Sequence, residues 1–279
     1  MRRVALNKIP LRTASFMGWG DKIRGCFLAL FLLQLLLVGL RVWWPAALFG
    51  NARWPDGVLI VLATATTLAS LARQLPGQNV MLAAVLISSI AGAVQTLGAR
   101  TAIPFGPYVY TANIGQRLFE PLPWAVPLVW LVIILNARGV ARLILRPWRK
   151  TQAYGFWLMG WTALLVVVFD FALEPFATQV KHYWFWNPTK LPLDWYSTPW
   201  VNFLGWAATT LLILAFVTPS LINKKPVKHP PDYHPLLIWV LLNALLVIGE
   251  AKHHLWPAAL LVSALTIVLS SFAVRGARW

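Results

Sequence analysis

Long apolar stretches alternate with short polar connections along almost the whole chain. The stretches are continuously apolar, and a backbone in lipid must satisfy its own hydrogen bonds, so the pattern predicts membrane-spanning helices. They cover residues 26–44, 57–72, 79–97, 122–137, 152–171, 200–217, 235–249 and 256–274. We therefore expect an all-α, polytopic transmembrane helix bundle of about eight spans. Residues 235–249 fall short of the ~20 residues that cross hydrocarbon unaided, so that segment could be re-entrant or interfacial, and seven spans is the alternative.

Composition supports a membrane protein with one domain. Hydrophobic residues make up 59% of the chain, which holds 17 Trp and has a mean hydropathy of +0.65. That leaves too little polar surface for a soluble globule. No polar insertion is long enough to fold alone, so residues 1–279 are predicted to form a single integral-membrane domain. The single Cys excludes an intramolecular disulfide and a site of several thiolates.

The basic residues indicate an orientation. In the eight-span arrangement 17 of the 24 Lys and Arg fall on one side and seven on the other, and the side with the excess is cytoplasmic. We expect a protein of the cell (inner) membrane with both termini in the cytoplasm, and the net charge of +16 does not indicate nucleic acid. Residues 1–25 are a basic leader, and the span after them is predicted to be retained because no small-x-small cleavage site follows.

Two acids lie near the end of the fifth span, in residues 169–175 (FDFALEP). Asp170 and Glu174 are four positions apart, so on a helix both carboxyl groups project from one face. Neighbouring carboxyls in poor solvent rarely ionise together, and one is expected to hold a proton, as a general acid does. The alternative is a pair of interfacial acids that reach water. Because Pro175 disfavours helical geometry before it, the span is expected to end at Glu174.

A second polar group follows the third span on the same predicted side. Gln95 precedes residues 104–110 (PFGPYVY), in which one Gly and two Pro predict a shaped turn around Phe105. Tyr108 and Tyr110 add hydroxyl groups on apolar rings. The alternative is an ordinary interfacial loop with belt aromatics.

The segment after the fifth span is rich in aromatic rings, which can hold a polyene or stabilise a carbocation. Its rings are Trp184, Trp186, Trp195, Tyr196, Trp200 and Trp206. Asn202, one turn into the sixth span, could hydrogen-bond across helices or position a water, although packing is the commoner role. Glu250, His253 and His254 match no metal-ligand spacing, so no metal site is predicted there or at His182.

These segments together resemble the membrane carotenoid hydratases, which include γ-carotene 1',2'-hydratases and bisanhydrobacterioruberin hydratases. The resemblance covers residues 95–217, through 104–110 (PFGPYVY), 170–175, 183–186 (YWFW) and 200–206 (WVNFLGW). There are two departures from the family pattern. Gln95 stands where the family suggests Glu, and Glu174 stands where relatives often carry Asp. The second change keeps an acid, whereas the first removes a proton donor.

The resemblance implies a carotenoid 1,2-hydratase, a hydro-lyase of carotenoid biosynthesis. Protonation of the terminal 1,2 (1',2') double bond of an acyclic end would give a tertiary cation, which water captures as a tertiary alcohol without a cofactor. Asp170 or Glu174 would be the acid. The implied substrate-binding residues are Gln95, Phe105, Tyr108, Tyr110, Trp184, Trp186, Asn202 and Trp206. The implied partners are a lipophilic carotenoid and membrane lipid, and association with other carotenoid-pathway enzymes is left open.

Two other functions fit the same residues. A non-catalytic carotenoid or lipid carrier, or an assembly subunit, could use the aromatic segment to hold a ligand. A transporter could relay protons through Asp170, Glu174 and Glu250, although no inverted repeat supports it.

The charge bias makes the orientation testable. Reporter fusions after Lys150 and Lys225 should give cytoplasmic signals, and a fusion near Lys190 should give an external signal, because Lys and Arg accumulate around the first two sites. Alkaline phosphatase and fluorescent-protein fusions would measure this. Matching signals at Lys150 and Lys190 would contradict the arrangement.

Overall fold

Eight helices run through the part of the chain that the computed structural model describes, which is residues 19–44, 52, 54–188, 193–222 and 230–279. They are α1 (Trp19–Trp43), α2 (Trp54–Leu71), α3 (Gly77–Thr101), α4 (Ala125–Ile144), α5 (Tyr154–Pro175), α6 (Val201–Val217), α7 (His234–Lys252) and α8 (Trp256–Ala277). All eight are long and apolar enough to cross a membrane, which confirms the predicted all-α bundle of about eight spans. Residues 1–18 of the predicted leader lie outside the described residues.

Successive helices alternate in direction, so their termini form two ends of the bundle. We call one the basic end; it contains the start of α1, α3, α5 and α7. The opposite end carries six short strands: β1 (Tyr108–Tyr110), β2 (Arg117–Phe119), β3 (Leu122–Pro123), β4 (Trp184–Trp186), β5 (Asp194–Trp195) and β6 (Thr198–Pro199). They pair antiparallel as β1–β4, β2–β3 and β5–β6, and we call this the strand end.

Helix α4 forms the centre of the bundle. It packs against α2, α3, α5, α7 and α8, and most of its side chains are buried. Helix α1, by contrast, is largely exposed along its apolar window. Short 3₁₀ turns lie at Ala112–Ile114, Arg146–Trp148 and Thr218–Leu221. Because lipid tails are as apolar as the side chains, close packing rather than water exclusion must hold such helices together.

Small residues allow the closest helix contacts. A Cβ atom added to Gly276 of α8 would lie 2.2 Å from the Leu143 carbonyl oxygen of α4, and one added to Gly249 of α7 would lie 2.3 Å from the Phe176 ring. Gly139 of α4 approaches Pro235 of α7 equally closely. Gly276 and Gly139 thus allow α8 and α7 to pack closely on α4, and Gly249 leaves room for the Phe176 ring beside α7.

Pro175 predicted that the fifth span would end at Glu174, and this prediction is wrong. Helix α5 includes Pro175 and continues as a π-helical turn over Phe176–Val180. Proline lacks the N–H that would bond the carbonyl four residues earlier, which is that of Phe171. The Trp195 indole N–H donates to that carbonyl oxygen instead, at 3.0 Å. The helix can therefore pass through the proline without leaving a buried acceptor unpaired.

The glycine contacts predict opposite effects for two Gly→Ala substitutions. Gly276→Ala should destabilise the protein by about 1–3 kcal/mol, because its Cβ meets a backbone carbonyl that has little freedom to move. A Cβ atom added to Gly160 of α5 would have no atom within 4 Å, so Gly160→Ala should be neutral or stabilising. Thermal unfolding in detergent would compare them. Equal melting temperatures would contradict the close α4–α8 contact.

Candidate active site

A two-stranded aromatic sheet covers the strand end of the bundle. Tyr108 pairs with Trp186 and Tyr110 with Trp184 across β1 and β4. Side chains alternate between the two faces of a strand, so these four rings point toward the helices. Val109 and Phe185, which pair between them, are 43% and 51% exposed. The sheet therefore directs the hydroxyl groups of the two tyrosines and the indole N–H groups of the two tryptophans toward the interior of the bundle.

Glu174 receives hydrogen bonds on both carboxyl oxygens. Its Oε2 accepts from the indole N–H groups of Trp184 at 3.0 Å and Trp186 at 2.9 Å, and from the Thr198 hydroxyl at 3.1 Å. Its Oε1 accepts from the Asn202 amide at 3.1 Å. The side chain is only 2% exposed. Every one of these donors is uncharged, so the carboxyl is held by dipoles and by no cation.

Asp170 lies one turn earlier on α5 and is fully buried. The Asn202 amide nitrogen donates to Asp170 Oδ2 at 2.8 Å as well as to Glu174, so one amide bridges the two acids. The other Asp170 oxygen, Oδ1, has no hydrogen-bond partner. The two predicted acids thus have different surroundings: Glu174 has four donors and Asp170 has one.

Gln95 organises the two tyrosines of β1. Its Oε1 accepts from the Tyr108 hydroxyl at 2.7 Å and from the Tyr110 hydroxyl at 2.8 Å. Burial raises the pKa of both phenols far above the usual range. Both hydroxyls therefore remain protonated, and position 95 serves them as a hydrogen-bond acceptor.

A cavity of about 800 Å³ lies beneath the aromatic sheet. Of the ten residues predicted for the site, nine line it, and the exception is Asp170. It continues away from the sheet along α2, α4 and α7, where its walls are mostly aliphatic side chains such as Leu59, Val129 and Leu246. On α2 the lining runs from Asp56 to Ala63, about 10 Å at 1.5 Å per residue. The site is a largely apolar cavity with Glu174 at the end beneath the aromatic sheet.

Neighbouring aromatic rings extend from the Glu174 end of the cavity into the body of the bundle. Trp130 of α4 stacks on Trp206 of α6 with centroids 4.1 Å apart, and Phe105 lies 6.5 Å from Trp130 and 6.3 Å from Tyr108. Trp130 was not predicted as a site residue because, in the sequence, it is one apolar residue among many in the fourth span. Such faces suit a polyene or a developing positive charge.

Sequence reasoning also missed a charged cluster at the mouth of the cavity. Lys181 donates to both oxygens of Asp56, at 3.0 and 2.9 Å, and the Tyr183 hydroxyl donates to Asp56 at 2.9 Å. Burial, together with the Asp56 charge, raises the Tyr183 pKa, so that hydroxyl stays protonated. The partners are 125 residues apart, which no local pattern reveals. The cluster ties the start of α2 to the segment that carries β4.

Other predicted candidates lie elsewhere. Trp195 and Trp200 pack around Phe171 and do not line the cavity. Asp194 is exposed, and Glu250 is buried without a hydrogen-bond partner and outside the cavity wall. Thr198, whose hydroxyl donates to Glu174, lies in the aromatic segment, where no sequence pattern distinguishes it from its neighbours.

The histidines do not come together as a ligand set. His182 Nδ1 lies 2.7 Å from the Thr178 carbonyl oxygen, at the end of the π-helical turn. Within the described ranges, no three His, Cys, Asp or Glu side chains lie close enough to hold a metal ion.

Comparison with known proteins identifies a family for the chain. A family model described as carotenoid biosynthesis protein matches residues 56–270, from the start of α2 into α8. The chain belongs to that family. The match reaches beyond residues 95–217, which carry the resemblance in the sequence, and includes both Asp56 and the helices that wall the cavity.

A named relative is the bisanhydrobacterioruberin hydratase of Haloarcula japonica, to which the chain is 26% identical over 125 residues. The matched part is 45% of this chain and 40% of that protein, so the chain spans well under two thirds of the relative's length. No solved structure matches the chain.

The ion pair at the cavity mouth should stabilise the protein more than a surface pair. Asp56→Asn should cost about 1–3 kcal/mol, because it leaves the partly buried Lys181 charge without its partner. Arg117→Gln, which breaks the exposed pair with Glu120, should cost less than about 1 kcal/mol. Thermal unfolding would measure both, and hydrogen exchange across residues 181–186 would locate the change. Equal losses would argue against a structural role for the cluster.

Proposed function

We propose that this protein adds water across the terminal 1,2 (1',2') double bond of an acyclic carotenoid end to give a tertiary alcohol. The observation that carries the proposal is the position of Glu174: a buried carboxyl, bonded only by neutral donors, at the end of an apolar cavity lined by indole and phenol rings. Family membership and the hydratase relative support carotenoid chemistry.

The cavity shape sets the substrate's direction. The isopropylidene end of the carotenoid would lie beneath the aromatic sheet, against Trp184 and Trp186, and the polyene would extend along the aliphatic walls of α2, α4 and α7. A carotenoid is apolar along this length, so burial in that channel costs no hydrogen bonds. The reacting end is thereby the part nearest the carboxyl.

Glu174 is the proposed acid. Its Oε1 accepts only one hydrogen bond, so it is the oxygen on which the proton resides. The proton passes to the less substituted carbon as the π bond breaks, leaving a tertiary cation and a carboxylate. Trp184, Trp186 and Thr198 already point at Oε2 and stabilise the charge that forms there.

Water completes the reaction at the cation. Its oxygen bonds to the tertiary carbon, and the proton it loses returns to Glu174, so the carboxyl ends as it began. The sum is one water added with no change in oxidation state, and no redox cofactor is required. The Tyr110 and Tyr108 hydroxyls, fixed by Gln95, are positioned to orient the water.

Asp170 acts through Asn202. It does not line the cavity, so it is not placed to protonate the substrate. By accepting the second N–H of the Asn202 amide, it orients the first toward Glu174 Oε1. Asp170 is therefore proposed as a positioning residue.

Conservative amide substitutions test these roles. Glu174→Gln should lower the hydration rate by about 10²-fold or more, because protonating an unactivated alkene requires a real donor. Asp170→Asn should reduce the rate less and leave substrate binding unchanged. Glu120→Gln, an exposed acid at the same end, is the matched control and should retain the parent rate. Parent-rate hydration by Glu174→Gln would overturn the assignment.

Pigment analysis tests the reaction itself. A host that makes an acyclic carotenoid would be extracted with and without this gene, and the products compared by mass. The expected product is heavier by one water for each hydrated end and is more polar. Unchanged pigment from a well-expressed protein would favour the carrier function instead.

A further inference from the structure

A second polar pocket lies at the basic end of the bundle, remote from the carboxyl-bearing cavity. It forms where the end of α2, the end of α4 and the start of α7 meet. Helices α4 and α7 approach closely there because Gly139 faces Pro235. This contact places Arg138 and Arg142, one turn apart on α4, beside the chain that enters α7.

Arg138 is a buried basic residue without an acidic partner in the described part of the chain. The residue is 7% exposed, and its guanidinium makes one hydrogen bond within the described ranges, a 3.4 Å contact from Nη2 to the Leu221 carbonyl oxygen. Among the described residues, no carboxylate oxygen lies within 4.0 Å of it. An unpaired charge within a membrane span is costly and marks a functional site by default.

Asp232 lines the same pocket, yet its oxygens are already occupied. Oδ2 accepts from the Gln74 amide at 2.6 Å and from the Ser70 hydroxyl at 3.3 Å. Oδ1 accepts from the backbone N–H of His234 at 3.0 Å. These bonds fix the turn before α7, and among the described residues Asp232 forms no ion pair with Arg138.

Arg142 is the second basic residue of the pocket. Arg142 is exposed at the rim, where its Nη1 donates to the Gln74 amide oxygen at 3.0 Å. The enclosed space is about 30 Å³, enough for one or two oxygen atoms rather than a whole polar headgroup. A ligand would therefore insert oxygens toward Arg138 while its bulk remained at the rim beside Arg142.

We propose that this pocket binds a phosphate group, with Arg138 at its floor and Arg142 at its rim. Arginine pairs match the geometry of phosphate oxygens, and basic pockets between membrane helices bind anionic headgroups. The phosphate can belong to an anionic phospholipid of the adjacent leaflet or to a free phosphate in solution. The site is independent of the proposed hydration.

Thermal unfolding of the purified full-length protein tests the proposal. Melting temperatures would be measured in phosphatidylcholine nanodiscs, with phosphatidylglycerol added in one arm and inorganic phosphate or diphosphate in the other. A ligand that binds only the folded protein raises the melting temperature. A rise with phosphatidylglycerol alone identifies a lipid headgroup, and a rise with inorganic phosphate identifies a soluble ligand.

Three variants make the result specific. Arg142→Gln and Arg138→Gln should weaken binding about tenfold or more and remove most of the rise. Arg275→Gln removes one exposed positive charge from the same end, outside the pocket, and should keep the full rise. Arg142 is exposed, so its variant should fold even if Arg138→Gln does not. The absence of any rise in the parent, or equal rises in Arg142→Gln and Arg275→Gln, would overturn the proposal.

Discussion

The strand end is built around the need to satisfy two buried carboxyl groups at the boundary of the membrane. Within the described part of the chain, Asp170 and Glu174 form no ion pair with a cation, so their oxygens depend on neutral donors. Those donors come from three places in the chain: β4, β6 and the first turn of α6. Each donor reaches its carboxyl oxygen only if its segment adopts one position. This requirement accounts for the defined conformation of the connections at the strand end and for the small sheet that covers the helices there.

The same cavity holds two carboxyl groups in opposite electrostatic settings, and the contrast separates their roles. Asp56 is neutralised by Lys181 at its mouth and links α2 to the β4 segment. The hydrogen-bond donors that contact Glu174 among the described residues are all neutral dipoles, and in a low-dielectric site such dipoles can stabilise a carboxylate without preventing it from holding a proton. A fixed cation beside Glu174 would also oppose a carbocation in the cavity. The arrangement thus suits proton transfer at Glu174 and structural support at Asp56.

The spans were predictable because their apolar length is a local property of the sequence, and the pairing of Asp170 with Glu174 followed from helical spacing. What escaped prediction depended on distant partners. Pro175 stays within the helix because Trp195 takes the carbonyl that proline cannot bond. That bond also explains why Trp195 packs around Phe171 instead of lining the cavity. Composition shows that the segment is aromatic, but only the fold decides which rings face the cavity.

Gln95, a departure from the family pattern, is compatible with the proposed chemistry. An acid at this position would suggest a proton donor, yet the contacts require an acceptor, since two tyrosine hydroxyls donate to the same Oε1 atom. Both phenols stay protonated and neutral, so neither requires a negatively charged partner. A glutamine oxygen meets that need as well as a glutamate oxygen, and without adding a third carboxyl to the cavity. Glu174 therefore remains the proposed acid at the reacting end, and Gln95 has the separate role of holding Tyr108 and Tyr110.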